Sequence, residues 1–287
     1  MAQSLRELVA DELGQPVDPS VRALAAAIAA RYGKAARAVL FYGRCLRERQ
    51  LDGLMLDFYL IVSNYRDAYG RGWLAAANHL VPPNVFPFQH GKLAAKYAVL
   101  SEADFHRLTG PSTRNVSVWA RFAQPSRLVW AADDKARDAA IDAVTQAVPT
   151  LLGAALPTAP TTADPLDLWR HAFALTYSAE LRAERKARSG SVVESDPDRY
   201  RRFTDAGLAA AMPSRAGWAR RRLEGKALSV LRLAKASTTF AGGAEYIAWK
   251  INRHAGTNIV LKPWQRRWPL LAAISLLPRL LRSGAIR

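Results

Sequence analysis

A lone carboxylate inside an apolar run is the feature that most limits how this chain folds. Leu56-Asp57-Phe58-Tyr59-Leu60-Ile61-Val62 is a β-type run of large apolar residues broken only by Asp57, and it reads as a buried strand. A carboxylate there is costly to bury unless a metal or a cation compensates its charge. Fourteen positions before Asp57, a second such run, Ala38-Val39-Leu40-Phe41-Tyr42, ends at Gly43. A glycine after a strand lets backbone amides approach a polyphosphate, and a carboxylate on the next strand can hold a Mg²⁺ that bridges phosphate oxygens. The competing reading makes Asp57 a strand-end residue bonded to a backbone amide or paired with an arginine.

The rest of the chain frames this pair. Leu5, Leu8, Val9 and Leu13 recur at helical spacing after Ser4, and a second helical pattern follows Asp18-Pro19-Ser20, with polar caps and a first-turn proline. After Val62 come a helical segment from Tyr65 to Leu80, a Pro82-Pro83-Asn84 turn, and β-type runs at Val85 to Phe88 and Ala94 to Leu100. Ser101 and Asp104 have the spacing of a helix cap, so Asp104 reads as a cap before it reads as a metal ligand. Leu128-Val129-Trp130 is strand-like, and from Asp133 onward the pattern is almost wholly helical. The Pro/Thr/Ala loop from Leu156 to Asp164 and a Gly/Ser break at Ser189 to Ser191 punctuate it. The loop is taken as the domain boundary.

With 287 residues, half of them hydrophobic, the chain can bury one large core or two moderate ones. Its single cysteine, Cys45, excludes an internal disulfide and fits a reducing compartment. Charged residues interrupt positions 1–15, so no export signal is expected. The longest strongly apolar stretch, 269–278, is half of the roughly 20 residues that a spanning helix needs. Lysine and arginine exceed aspartate and glutamate by 41 to 24, a formal charge of +17, which favours a polyanionic partner. The excess lies beyond position 180, where Arg199, Arg221, Arg232 and Lys235 accompany Trp218, Leu228 and Leu231. That pattern fits a cationic amphipathic helix on an anionic membrane, or a helix packed on the core with its arginines in water. At 263–287, Trp264, Arg266, Arg267 and Trp268 precede leucines and further arginines, a composition suited to a bilayer interface.

Several segments, taken in order, resemble the mitochondrial-type (translocator assembly and maintenance) phosphatidate cytidylyltransferases and their bacterial relatives. A Phe/Tyr-Gly-Ser loop followed by Met-Leu-Asp-Phe is similar to Phe41-Tyr42-Gly43-Arg44 and Met55-Leu56-Asp57-Phe58. A Val-Tyr-Phe-Asn-Pro segment is similar to Asn84-Val85-Phe86-Pro87-Phe88, and a Lys-Tyr-Gly-Val-Ile-Ser strand to Lys96-Tyr97-Ala98-Val99-Leu100-Ser101. The family's Trp-x-x-Leu-Tyr-x-Ala-Gly-Arg segment resembles residues 119–127, ending at Arg127, and its Ser-Tyr-x-Gly-Asp-x-Arg segment resembles Thr176-Tyr177-Ser178-Ala179-Glu180-Leu181-Arg182. The chain departs from the pattern at Arg44, in place of a small serine, at Ala98, and at Ser126.

The resemblance implies an α+β fold, with a nucleotidyltransferase-like mixed sheet and flanking helices over 1–155. A helical domain over 164–262 and a basic amphipathic membrane-associating segment over 263–287 would follow. It implies a Mg²⁺-dependent transfer of the cytidylyl group of CTP to phosphatidic acid, giving CDP-diacylglycerol and pyrophosphate at the cytoplasmic face of an anionic membrane. Asp57 would be the metal ligand, and Lys96 and Arg127 would neutralise phosphates. Gly43, Arg44, Tyr97, Glu180 and Arg182 would line the nucleotide site. The second metal ligand stays open among Asp52, Glu180 and Asp104. A lysine at a sheet edge and an ordinary surface arginine are the plain readings of Lys96 and Arg127. Two other functions fit the same residues: nucleotidyl transfer to RNA or to a soluble phosphate ester, and a non-catalytic basic adaptor. No glycine-aromatic signature of an RNA module is present, which makes nucleic acid the weaker partner. A homodimer is compatible with all of this. The five histidines show no ligand spacing, and no Gly-x-Ser-x-Gly occurs, so zinc and serine chemistry have no support.

Overall fold

The computed structural model describes residues 3–48, 51, 54–70, 72–161, 164–180, 192–214 and 217–239. Two helices open the chain, α1 (Leu5–Gly14) and α2 (Pro19–Ala30). Each starts where its sequence supplies an acceptor for orphan amides. Ser4 and Glu7 form a reciprocal capping box on α1, and Asp18 caps α2 with Pro19 in its first turn.

The five strands are β1 (Ala36–Tyr42), β2 (Met55–Val62), β3 (Asn84–His90), β4 (Leu93–Ser101) and β5 (Ser126–Ala131). They form one sheet in the order β3-β4-β2-β1-β5. The β2–β4 pair is parallel and the others are antiparallel, so the sheet is mixed and the fold is α+β. Short helices connect the strands: α3 (Arg44–Glu48), α4 (Tyr65–Tyr69), α5 (Gly72–Leu80), α6 (Glu102–Thr109) and α7 (Trp119–Phe122). The single helix expected from Tyr65 to Leu80 is two, because Gly70 adopts φ 56 and ends α4 with a left-handed cap. Ser101 caps α6 through the Asp104 amide, as its spacing predicts.

Beyond the sheet lie α8 (Asp134–Thr145), α9 (Ala147–Ala155), α10 (Pro165–Ala179), α11 (Pro197–Ala209) and α12 (Trp218–Thr239). Strand alternation divides the apolar residues between two layers. On one face Val39, Phe41, Phe58, Leu60, Tyr97 and Val99 pack on Leu24 and Ile28 of α2. On the other, Leu40, Tyr59, Ile61 and Leu100 join a larger cluster. That cluster runs through Leu8, Phe105, Trp119 and Leu151 to Trp169, Phe173, Phe203 and Trp218, so the helices after the 156–164 loop share the core that covers the sheet.

The helical run Asp134–Thr158 has a mean hydropathy of 1.4 and is long and apolar enough to cross a membrane, but 67% of its apolar window is buried inside the fold. It is longer than the 269–278 stretch singled out in sequence, and its role here is that of a core helix. Several basic residues beyond position 180 also turn inward. Arg199 and Arg221 are each 1% exposed. Arg199 makes two hydrogen bonds to Glu12 and one to the Ala123 carbonyl. Arg221 donates to the Thr113 and Arg114 carbonyls and to Ser214. A guanidinium with five donors can be buried where carbonyls converge on it, which the reading of these arginines as surface charge did not anticipate. The segment 263–287 lies outside the described residues.

Candidate active site

Asp57 takes its place from the register of three strands. It pairs with Tyr42 on β1 and with Lys96 on β4, and Tyr42 pairs onward with Ser126 on β5. Directly paired residues share a face, so Lys96, Asp57, Tyr42 and Ser126 form a row across the sheet on its α7 side. Immediately after Tyr42 the chain turns at Gly43, with φ 94. A side chain there would be strained in its backbone, and its Cβ would stand 3.0 Å from Asp57 Oδ2. Glycine thus brings the loop backbone against the carboxylate.

Lys96 Nζ lies 3.1 Å from Asp57 Oδ1, and both side chains are partly buried. Oδ1 is a buried oxygen that accepts no hydrogen bond among the described residues. This pairing gives Asp57 a cation partner, and because β4 lies between β3 and β2, Lys96 is not the sheet-edge lysine of the plain reading. The partner is a lysine rather than the arginine considered from sequence. The floor beside it is aromatic. Tyr42 and Tyr59 have ring centroids 5.3 Å apart, and Phe122 packs 6.1 and 5.1 Å from them. Burial, then the Asp57 charge, pushes the Tyr42 hydroxyl well above its ordinary range, so it is a neutral donor rather than a base.

Two arginines stand behind this floor. Arg121, on α7, lies 3.6 Å from the buried Glu180 and donates to the Ser117 carbonyl. Burial pulls its pKa down, but the nearby carboxylates, Glu180 foremost and Asp57 among them, act to raise it, and the guanidinium stays charged. Arg232, on α12, donates to the Pro82 carbonyl at 2.8 Å and to Ser117 Oγ at 2.8 Å. Lys235, one turn further, donates to the Ala77 and Val81 carbonyls at the end of α5. The α12 helix lies close to α10 because Gly225 faces the Ala179 carbonyl, where a Cβ would come within 2.2 Å. Glu180 follows directly in the chain.

The structure therefore brings Gly43, Asp57 and Lys96 together and places Glu180 in the adjoining arginine cluster. Arg44 is exposed at the start of α3, next to the loop. Other candidates lie elsewhere. Arg127 pairs with Phe41, which puts it on the face opposite Asp57, and its guanidinium donates to Gln15 Oε1 and the Ser126 carbonyl. Tyr97 pairs with Phe58 on that same face and is buried, its hydroxyl 3.2 Å from that of Tyr32. A one-residue step along a strand reverses the face, so neighbours in sequence diverge in space. Asp104 accepts from Tyr65 and Arg107 at the far end of β4, on the order of 16 Å from Asp57 at ~3.3 Å per strand residue. Arg182 and Asp52 lie outside the described residues.

Arg121 and Arg232 were not among the sequence candidates. Each left a faint signal, a charge set within an apolar helical pattern: Arg121 between Trp119 and Phe122, and Arg232 beside Leu228 and Leu231.

Among the described residues no three His, Cys, Asp or Glu side chains gather to hold a metal. A dedicated protein cage is thus absent among them. Asp57 Oδ1, buried and accepting no hydrogen bond, suits the other common arrangement, in which Mg²⁺ is held by one or two carboxylates and by substrate phosphates.

No family model matches the chain, and no curated protein is similar to it. Among solved structures, it is similar to a nucleotidyltransferase-like protein from Exiguobacterium sibiricum. That likeness covers 92% of each chain at 13% identity with a TM-score of 0.29, too loose to carry any residue across.

Proposed function

We propose that this protein is a nucleotidyltransferase whose donor site is the Gly43 loop, Asp57 and Lys96, and that its reaction is the cytidylylation of phosphatidic acid. The observation that carries the reading is the close approach of a positive-φ glycine to a strand carboxylate whose buried Oδ1 accepts no hydrogen bond among the described residues. A lysine stands within ion-pair distance of the same oxygen. The choice of lipid acceptor rests on the ordered sequence resemblance and on the basic, Trp-containing segment at 263–287.

In this reaction the phosphate of phosphatidic acid attacks the α-phosphorus of CTP, and pyrophosphate leaves. No nucleophilic side chain is required, because the attacking oxygen comes from the acceptor, so the protein contributes position and charge. The Gly43 loop lets backbone approach the triphosphate. Lys96 moves from Asp57 toward the phosphate oxygens and balances their charge. Tyr42 and Tyr59 exclude water from the inner side, which strengthens both interactions. Mg²⁺, held by Asp57 together with the phosphates, would supply neutralisation of charge on the leaving pyrophosphate.

The test is pyrophosphate release from CTP and Mg²⁺ in the presence of phosphatidic acid vesicles, of RNA, of soluble phosphate esters, or of buffer alone. Release that depends on phosphatidic acid is expected. Release that depends on RNA or a soluble ester would keep the transferase and discard the lipid, and no release in any arm would leave a binding protein with this fold.

A further inference from the structure

The α12 helix packs through its arginines and leaves leucines outside, the reverse of an ordinary core helix. Trp218, Arg221 and Gly225 are buried, and Arg232 bonds the Pro82 carbonyl and Ser117 Oγ. Leu223, Ala227 and Leu231, spaced by four residues, share a stripe on the opposite side. All three are exposed, Leu223 at 73% and Leu231 at 52%. Arg222 and Lys226 stand exposed beside the stripe, while Glu224, the acid of this helix, is engaged by Arg114 and Arg220. A second helix adjoins. On α5, Trp73, Ala76 and Leu80 recur at helical spacing and are exposed, and Lys235 of α12 donates to the Ala77 and Val81 carbonyls at the end of α5. Of the six large apolar side chains exposed among the described residues, these two touching helices carry four. Apolar side chains scattered singly on a surface are ordinary, but periodic stripes on touching helices mark an interaction surface.

We propose that the α12 stripe of Leu223, Ala227 and Leu231, with Arg222 and Lys226 beside it, is a docking face for an anionic membrane surface. A helix lying in the bilayer interface needs leucines to enter the acyl boundary and cations at the level of the lipid phosphates, and this face supplies both. RNA would use the cations but leave the leucines without a partner. A second copy of this chain would cover the leucines. Two-fold symmetry about the middle of the stripe would then bring Lys226 close to its own copy, like charge against like. An anionic bilayer satisfies both halves of the face, and the formal charge of +17 acts in the same direction. Docking here requires no nucleotide chemistry and no contribution from 263–287.

Sedimentation is measured on the full chain, without nucleotide, using vesicles of phosphatidylcholine alone and of phosphatidylcholine mixed with phosphatidylglycerol. Phosphatidylglycerol replaces phosphatidic acid so that binding of the proposed acceptor does not contribute. The wild type should sediment with the mixed vesicles and not with the neutral ones. Leu223→Ser/Leu231→Ser should weaken binding by about tenfold or more, the scale of two leucines withdrawn from an apolar boundary. Arg222→Gln/Lys226→Gln should also weaken it by about tenfold or more, at roughly fivefold for each basic residue near an anionic surface. A polarity-sensitive fluorophore on Leu223→Cys protein reads the location directly, since the native Cys45 is buried. Its emission should shift to the blue on the mixed vesicles. Absence of sedimentation with anionic vesicles, equal sedimentation with neutral ones, unchanged affinity of the folded leucine variant, or an unshifted label on sedimenting protein each overturns the proposal. RNA bound equally by the wild type and the leucine variant, with no vesicle binding, overturns it in favour of nucleic acid. A dimer that the leucine substitutions dissociate, with vesicle binding unchanged, overturns it in favour of a contact between copies.

Discussion

Replacing Asp57 with asparagine is expected to lower pyrophosphate release by about 10²-fold or more, the scale seen when a preorganised charge at a reacting centre is removed. Asparagine keeps the volume of the side chain, and the β2 backbone pairs with β1 and β4 on either side of it. The fold should therefore survive. Lys96 loses its counter-ion, but its side chain is 29% exposed and can hydrate. The check is the initial rate at saturating CTP and Mg²⁺, with a thermal melt on the same sample. Near-normal turnover from folded Asp57→Asn protein would remove Asp57 from the site.

The second large effect is on stability and lies far from Asp57. Glu12 on α1 and Arg199 on α11 form a bidentate pair at 2.6 and 3.0 Å, with residue exposures of 7% and 1%. Arg199 also holds the Ala123 carbonyl where α7 ends, and packs its guanidinium 4.3 Å from the Phe203 ring centre. Arg199→Met should cost about 3–5 kcal/mol, because it strands a buried carboxylate and frees a buried carbonyl. Much of that loss should return in the double variant Glu12→Leu/Arg199→Met, which removes the stranded charge as well. Urea unfolding of the three proteins reads this directly. A single-variant cost below about 1 kcal/mol would show that water reaches the pair.

The sheet was legible in the sequence because its strands are apolar β-type runs ended by glycine, proline or a helix cap. Residues 38–42, 56–62 and 94–100 fall inside β1, β2 and β4, and Ser4, Asp18 and Ser101 cap the helices that follow them. Asp57 was visible because one carboxylate in such a run has few ways to be satisfied. Its partner was harder to see. Lys96 lies 39 positions away and reaches Asp57 only through the parallel β2–β4 register, which no local pattern encodes. The same dependence on register separated Tyr97 and Arg127 from the residues beside them in sequence. The arginines were misleading for another reason: charge counts do not distinguish a guanidinium in water from one that caps carbonyls inside the fold. Arg199 and Arg221 are the second kind, and Arg232 bonds one carbonyl and one hydroxyl.

The most direct measurement is a crystal structure of the full chain with Mg²⁺ and a non-hydrolysable CTP analogue. The triphosphate is expected against the Gly43 loop, the metal shared between Asp57 and phosphate oxygens, and Lys96 turned from Asp57 toward the phosphates. A nucleotide bound elsewhere, with the Asp57–Lys96 pair closed and Gly43 untouched, would contradict it.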